Sequence, residues 1–176
     1  MSLKYRMHGY DTIKQGACGA DGAMGASLAE IGAIVPDSVV FEVLEPELTE
    51  IFVEGTDEPD ILDIAKGGLK SVTVSTRDVS VANMESFFGG STAVDRVWSA
   101  PVRTVKKFQS VELVGKYVDG NRIKITIPRA LVTAKLTGSL QDAESGVIDI
   151  NYKVGTPVNA SGVALSPYQI EYEADA

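Results

Sequence analysis

One stretch, residues 69–90, constrains the fold more than any other, because it predicts a strand that runs directly into a helix. From Leu69 to Thr76 apolar and small polar residues alternate, which is the period-2 pattern of a half-buried strand. Ser80 offers a side-chain oxygen as the helix N-cap, and the pair Gly89-Gly90 supplies the positive-φ residue that ends the helix. One helical face carries the apolar residues Val81, Met84 and Phe88, with Phe87 beside them.

After about residue 35 no other segment has a convincing helical pattern, and short alternating segments separated by turns predict strands instead. These segments are residues 38–46, 48–55, 61–64, 69–76, 92–102, 110–118, 122–127, 129–137, 147–154 and 168–173. The sequence therefore predicts a mainly β protein, an antiparallel β-sandwich or barrel with one short flanking helix at about residues 80–88.

Turn residues set the predicted strand boundaries in the second half of the chain. Asp119-Gly120 between two alternating segments is a strong β-hairpin signal. The strand after this turn, residues 122–127, is expected to end at Pro128. Likewise, Pro101 is expected to close a single strand over residues 92–102.

Residues 1–35 have a different composition, dominated by glycine and alanine, with no steady hydrophobic period. We interpret them as an N-terminal arm that orders only against another surface, a neighbouring subunit being one possibility. Residues 36–176 are then expected to form a single domain, since 176 residues suffice for one ordinary domain with a real core.

The overall charge and the cysteine count exclude several classes of protein. A net charge of −8 disfavours nucleic-acid binding, and Lys106-Lys107-Phe108 is better explained as a solvated loop. One cysteine, Cys18, rules out an intrachain disulfide framework, and with a single histidine it cannot form a structural zinc site. No apolar run is long enough to span a bilayer, and no secretory h-region is visible, so we expect a soluble protein made in the cytoplasm and no membrane insertion.

Acidic residues are concentrated in one segment, which we call the acidic segment (residues 42–63). It contains nine aspartates and glutamates and no lysine or arginine. It fits a solvated face, and it also fits an acidic surface that lines a pore or groove or docks on a basic neighbour. A calcium site is a third interpretation, although the EF-hand order of ligands is absent.

No catalytic motif is visible in the sequence. His8 would be the only histidine base, and Cys18 has no base near it in the sequence. Acidic residues are so abundant that carboxylate pairs would occur by chance. We therefore expect no enzymatic activity, no cofactor and no metal site.

The order of elements from residue 39 to residue 172 resembles that of the tail tube proteins (major tail proteins) of long-tailed bacteriophages. The resemblance rests on a first strand pair with an acidic loop at residues 56–60, and on the strand and helix of residues 69–90. The later hairpin VELVGKYVDGNRIKITIPRALVTAKLTGSL is also similar to the late strands of that family.

The resemblance implies a structural virion protein that is assembled in the bacterial host cytoplasm and located in the phage tail. Such proteins form homohexameric rings that stack into a hollow tube around the tape-measure protein, and they also meet the tail terminator and the distal tail or baseplate proteins. DNA passes through the lumen without specific binding, and a lumen lined with carboxylates would repel its phosphates.

The resemblance also suggests roles for three groups of residues. For contacts between subunits or rings the candidates are Glu45, Glu47, Thr49, Thr56, Asp57, Glu58 and Asp60. For the lumen lining they are Glu50, Glu54, Asp57 and Glu58. The helix residues Val81, Met84, Phe87 and Phe88 would act as a structural buttress.

Three other functions remain open from the sequence. The tube of a contractile injection or type VI-like machine shares the ring geometry. A small β-barrel module that binds a ligand or carbohydrate predicts an apolar cavity in a monomer or dimer. An enzyme with a dispersed carboxylate site predicts a cleft with two acids of perturbed pKa.

Overall fold

The computed structural model describes residues 9–46, 48–52, 59–64, 68–94, 96–138 and 146–174, with the backbone alone for 48–52, 59–64 and 92–94. Within these residues the strands are β1 (Tyr10–Ala17), β2 (Ala29–Glu30), β3 (Val40–Leu44), β4 (Leu48–Phe52), β5 (Pro59–Ile64), β6 (Gly68–Thr76), β7 (Ser91–Val94), β8 (Val97–Ser99), β9 (Lys107–Gly115), β10 (Asn121–Thr137), β11 (Val147–Val154) and β12 (Gln169–Ala174). The α-helix is α1 (Val81–Phe88), and a 3-10 turn covers Ala20–Gly22.

Eight of these strands form one antiparallel sheet in the order β2-β1-β9-β10-β11-β6-β3, and β12 also pairs with β10. The sheet is open, with β2 and β3 as its end strands. The prediction of a mainly β, antiparallel protein with one short helix is therefore confirmed. The strands β4 and β5 form a separate two-stranded sheet, as do β7 and β8.

The main core lies on one face of the sheet, and α1 packs against it. Strands β6, β10 and β11 show the expected alternation, with apolar side chains inward and Ser, Thr, Asp and Lys outward. The largest fully buried apolar side chains of the core are Ile13, Val72, Val74, Val111, Ile127, Ile148, Ile150 and Tyr152.

The predicted strand-to-helix stretch is confirmed at its boundaries. Ser80 is the N-cap, and its hydroxyl accepts a hydrogen bond from the Asn83 amide at 3.5 Å. Gly89 has a φ of 77° and ends the helix, with its amide 3.0 Å from the Glu85 carbonyl. These caps are local interactions between neighbouring residues, so the sequence pattern was enough to place both ends.

The expectation of a separate N-terminal arm is wrong for residues 10–35. Strand β1 pairs along its whole length with β9, and Ile13 and Ile31 are buried in the core. The glycines instead permit a loop that folds back closely on β1. A Cβ on Gly16 would lie 2.2 Å from the Ser27 carbonyl oxygen, and a Cβ on Gly25 would lie 2.1 Å from that of Ala17.

The predicted strand break at Pro128 is also wrong, because β10 continues through it. The pairing between β10 and β9 shifts register between Ile127 and Ala130, so Pro128 lies in a bulge where a missing amide proton is tolerated. Its carbonyl accepts a hydrogen bond from the Ser110 hydroxyl at 2.7 Å. Beyond the bulge β10 exchanges partners, from β12 to β11.

The single strand predicted for residues 92–102 is instead the hairpin β7–β8. The chain reverses beside Arg96, which has a φ of 76°. This reversal returns Trp98 to the helix end, where its indole N–H donates to the Gly89 carbonyl at 2.7 Å. A hairpin preserves the alternation of a strand, so periodicity could not show the turn.

Candidate assembly surfaces

Strand β3 is an end strand of the sheet, paired through one edge with β6. All five of its residues are exposed. Four of them are large and apolar, and their exposed fractions are Val40 55%, Phe41 39%, Val43 53% and Leu44 41%. An unpaired edge with apolar side chains is a template for pairing with another chain.

The hairpin β4–β5 follows β3 directly and pairs with itself, with Leu48 opposite Ile64 and Ile51 opposite Ile61. Among the described residues, neither strand makes a substantial contact with the main sheet. An isolated two-stranded hairpin is marginally stable in water, so this one would gain stability from packing on another surface.

The structure places some of the predicted contact and lumen residues on β4 and β5 or just beyond β3. Glu45 is exposed just beyond β3, Thr49 and Glu50 lie in β4, and Asp60 lies in β5. The described residues do not include the other candidates, Glu47, Glu54, Thr56, Asp57 and Glu58.

The helix residues suggested as a buttress do pack toward the core, but the most buried pair differs from the predicted face. Met84 and Phe87 are buried, whereas Val81 and Phe88 are half-buried. The Phe88 ring contacts Trp98, with 6.1 Å between ring centroids. The buried face is thus centred on Met84 and Phe87, while Phe88 lies beside the β7–β8 hairpin.

A buried polar network fixes α1 to three strands. The Tyr152 hydroxyl donates to the Gln15 side-chain oxygen, and the Gln15 amide donates to the Ser86 hydroxyl at 3.2 Å. The Gln109 amide donates to the same hydroxyl at 2.9 Å. Burial raises the pKa of Tyr152, so its hydroxyl stays protonated as a donor.

Lys107 caps the C-terminal end of α1. Its ammonium group donates to the carbonyls of Glu85 and Ser86, the latter at 3.2 Å. A cation at this position complements the partial negative charge of a helix C-terminus. The helix and the start of β9 are thereby held together.

Ion pairs hold β12 to the first half of β10. Arg122 contacts the Glu173 carboxylate at 2.6 Å, and Lys124 contacts Glu173 at 2.8 Å and Glu171 at 2.6 Å. Lys124 and then Arg122 lower the pKa of Glu173, and Glu171 and then Glu173 raise the pKa of Lys124. Arg122 also stacks 4.6 Å from the Tyr117 ring centroid.

The sequence reasoning missed a basic surface, which we call the basic segment (residues 96–108). It contains Arg96, Arg103, Lys106 and Lys107 and no acidic residue. Its residues are exposed apart from Trp98, Pro101 and Lys107, which are half-buried. The sequence does contain a signal for this surface, since no aspartate or glutamate occurs from Arg96 to Val111.

A groove of about 820 Å³ opens on the core side of the sheet between β3 and the strands β1, β9 and β10. Val39 and Phe41 line one wall, and Leu113, Ile123 and Ile125 line the other. Charged residues also contribute to the lining, among them Asp11, Asp37 and Lys116.

The candidates for chemistry do not form a reactive group in the described residues. His8 lies outside them, and burial raises the pKa of the Cys18 thiol, which keeps it protonated. Across the part of the chain that the structure describes, no cluster of three or more His, Cys, Asp or Glu could hold a metal ion. In that same part, no helix has the length and apolar character required to cross a membrane.

No protein-family model matches this chain, and no curated protein matches it.

Proposed function

We propose that this chain is a structural subunit of a phage tail tube, which assembles with copies of itself into stacked rings. The observation that carries the proposal is the apolar strand β3, whose second edge pairs with no strand in the part of the chain that the structure describes and which is followed by a hairpin that pairs with itself. In a single copy the apolar side chains of β3 are exposed, and the backbone of the hairpin joins no other described strand.

A second copy is the occupant that best satisfies both features. The β3 edge offers main-chain hydrogen bonds together with four exposed apolar side chains. Such an edge in an isolated monomer is an aggregation hazard, whereas pairing with a neighbouring subunit would bury it. If the edge pairs with a different surface of the neighbouring copy, the contact is head-to-tail, and its repetition closes into a ring when the rotation permits.

The remaining parts of the proposal follow from the resemblance and from the charge. Six copies would form each ring, and the rings would stack around a tape-measure protein between a terminator and a distal tail or baseplate complex. Glu50 and its acidic neighbours in the sequence are the candidates for the lumen, where carboxylates would keep DNA from binding.

Self-assembly of the purified chain tests the proposal. Light scattering coupled to size exclusion, at increasing protein concentration and at several salt concentrations, would report the mass, and negative-stain microscopy would show the shape. We expect rings or tubes of uniform diameter. A protein that stays monomeric under all these conditions would overturn the proposal.

The groove favours a second candidate function, a module that binds a small ligand or carbohydrate. Its volume of about 820 Å³ lies within the range of small-molecule sites, and its walls combine apolar and charged residues. This candidate predicts a stable monomer or dimer whose melting temperature rises with a ligand in a screen of sugars and small apolar compounds.

A further inference from the structure

We infer that residues 101–106 of one copy pair, as an added strand, with the free edge of β3 in the next copy. We call these residues the docking segment, and they form the middle of the basic segment. The inference rests on the proposed self-assembly and names the surface that meets the β3 edge.

The docking segment has a backbone that is available for pairing. It connects β8 to β9 and lies outside every helix and strand. Its amides and carbonyls form no hydrogen bond with another residue that the structure describes. A segment without backbone partners of its own can join the open edge of a sheet by β-strand addition, in which main-chain hydrogen bonds supply the affinity.

Contacts on both sides of the docking segment fix its ends. Before it, the Trp98 indole donates to the Gly89 carbonyl at 2.7 Å. After it, the Lys107 ammonium donates to two carbonyls at the end of α1. Between these contacts Val102 and Val105 are exposed by 102% and 48%. The fold therefore presents two apolar side chains on a segment with anchored ends, which lowers the entropy cost of docking.

Strand β3 offers the matching backbone. One edge of β3 pairs with β6, and within the described ranges the other edge pairs with no strand. Because β3 has five residues, the docking segment is long enough to span its whole edge.

The groove of about 820 Å³ adjoins β3 on the core side of the sheet. Val39 and Phe41 belong to one wall, and Leu113 and Ile125 belong to the other. Successive side chains of a strand point to opposite faces, so a strand added to β3 would direct every second side chain over this groove. The groove would then receive apolar side chains of the neighbouring copy.

Each face of the docking segment combines an apolar and a basic side chain. In an extended conformation Val102 and Lys106 point to one face, and Arg103 and Val105 point to the other. Either face therefore brings one valine and one cation to the neighbouring copy.

The surface around β3 is acidic, and this charge complements the cations of the docking segment. Asp37, Glu42 and Glu45 are exposed and form no ion pair with any described residue. Arg103 and Lys106 are also exposed, and they have no ion pair in the same part of the chain. Opposite charges on two separate surfaces attract between copies and fix their register.

The two surfaces belong to the same chain, so the partner is a second copy. In one copy the docking segment lies at the C-terminal end of α1, where Val105 is 3.5 Å from the position of a Cβ on Gly89. A contact between two different surfaces leaves each copy with a free edge and a free docking segment for its next neighbours. Such heterologous contacts close into rings or extend into filaments.

Two proline variants test the main-chain pairing. Thr104→Pro and Val105→Pro remove neighbouring amides, and because successive amides of a strand point to opposite sides, one of the two is directed at β3. We expect at least one of these variants to lower self-association by about tenfold or more in light scattering. The matched controls Thr104→Ala and Val105→Thr keep both amides and should assemble as the wild type does.

Charge reversal tests which surfaces meet. One variant carries Arg103→Glu and Lys106→Glu, and a second carries Glu42→Lys and Glu45→Lys. Each alone should lose self-association by about tenfold or more, because like charges then meet. An equimolar mixture should assemble again, since every contact between the two variants pairs opposite charges.

The control for charge reversal is Lys135→Glu with Lys153→Glu, at two exposed lysines on the outer face of the sheet. This variant should assemble as the wild type does. Circular dichroism would show that each variant is folded, and recovery in the mixture excludes misfolding as the cause of a loss.

The outcomes separate this inference from the proposed function. A wild type that does not assemble overturns both. If the wild type assembles, undiminished assembly of both proline variants overturns the inference and leaves the proposed function standing. A mixture of the charge-reversed variants that does not recover has the same meaning.

Discussion

The Tyr152 hydroxyl donates a hydrogen bond to the Gln15 side-chain oxygen, joining residues 137 positions apart in the sequence. Tyr152 is fully buried and Gln15 is 5% exposed, so no water can readily replace either partner. The bond links β11 to β1 across the core and continues to α1 through Ser86. Removing this bond therefore tests how much the attachment of β1 to the core contributes to the stability of the domain.

Removing this hydroxyl should destabilise the whole domain. We expect Tyr152→Phe to lower the free energy of unfolding by about 1–3 kcal/mol, because the Gln15 oxygen is left buried without a donor. Urea denaturation followed by circular dichroism measures the change. The control is Tyr117→Phe, at a residue that is 43% exposed. An equal loss in both variants would contradict the structural role of the Tyr152 bond.

The burial of Tyr152 should also make the stability of the protein depend on pH in the alkaline range. Burial raises the pKa of Tyr152 in the folded state, whereas an unfolded tyrosine ionises near its ordinary pKa of about 10. Below that pH the Tyr152 hydroxyl is protonated in both states, so this residue adds no pH dependence to the stability. Above it the unfolded state loses the tyrosine proton and gains stability relative to the folded state. Stability should therefore fall more steeply with pH in the wild type than in Tyr152→Phe, as urea titrations above pH 10 would measure.

Acid should weaken the attachment of β12 to β10. Lys124 and Arg122 lower the pKa of Glu173 in the folded state, so its ion pairs stabilise the protein above the ordinary carboxyl pKa. This stabilisation is lost as the pH falls through the lower folded-state value. We expect Glu173→Gln to melt at a lower temperature than the wild type at pH 7, and the two melting temperatures to converge in acid.

The control for this acid effect is Glu30→Gln, at an exposed glutamate without an ion pair to any described residue. Its melting temperature should follow the wild type over the whole pH range. A constant difference between Glu173→Gln and the wild type at all pH values would show that the charge of Glu173 is not the cause.

Close backbone packing in the glycine-rich loop leads to another prediction. A Cβ on Gly25 would lie 2.1 Å from the Ala17 carbonyl oxygen, and the Gly25 amide donates to the Ser110 hydroxyl at 2.9 Å. Gly25→Ala should therefore destabilise the protein by about 1–3 kcal/mol in urea denaturation. At Gly32 the nearest atom is 3.8 Å away, so Gly32→Ala should stay within about 0.5 kcal/mol of the wild type.

Local signals made the strand and helix of residues 69–90 predictable. The alternation of β6, the Ser80 cap and the Gly89 stop each depend on residues that are neighbours in the sequence. The Asp119-Gly120 turn was predictable for the same reason, and both residues have the positive φ that a type I′ turn requires.

The sequence could not predict features that depend on pairing between distant strands. Strand β1 pairs with β9, about a hundred residues away, and no local period reveals that partner. The exposure of β3 was equally hidden, because an end strand and a central strand can have the same alternation. The acidic segment was visible in the sequence, whereas the basic segment needed the exposed valines of the structure to become a candidate surface.

The apolar edge of β3 provides the most direct test of how copies of this chain meet. Val40 and Val43 are exposed by 55% and 53%, so lysines there should leave the fold intact while charging the edge. We expect the double variant Val40→Lys and Val43→Lys to lower self-association by at least about tenfold, as light scattering would show. The matched control places lysines at Val158 and Val163, which are exposed by 44% and 56% in a loop. Undiminished assembly of the β3 variant would exclude this edge as the contact, because two charged lysines on a buried strand edge cannot be accommodated without loss.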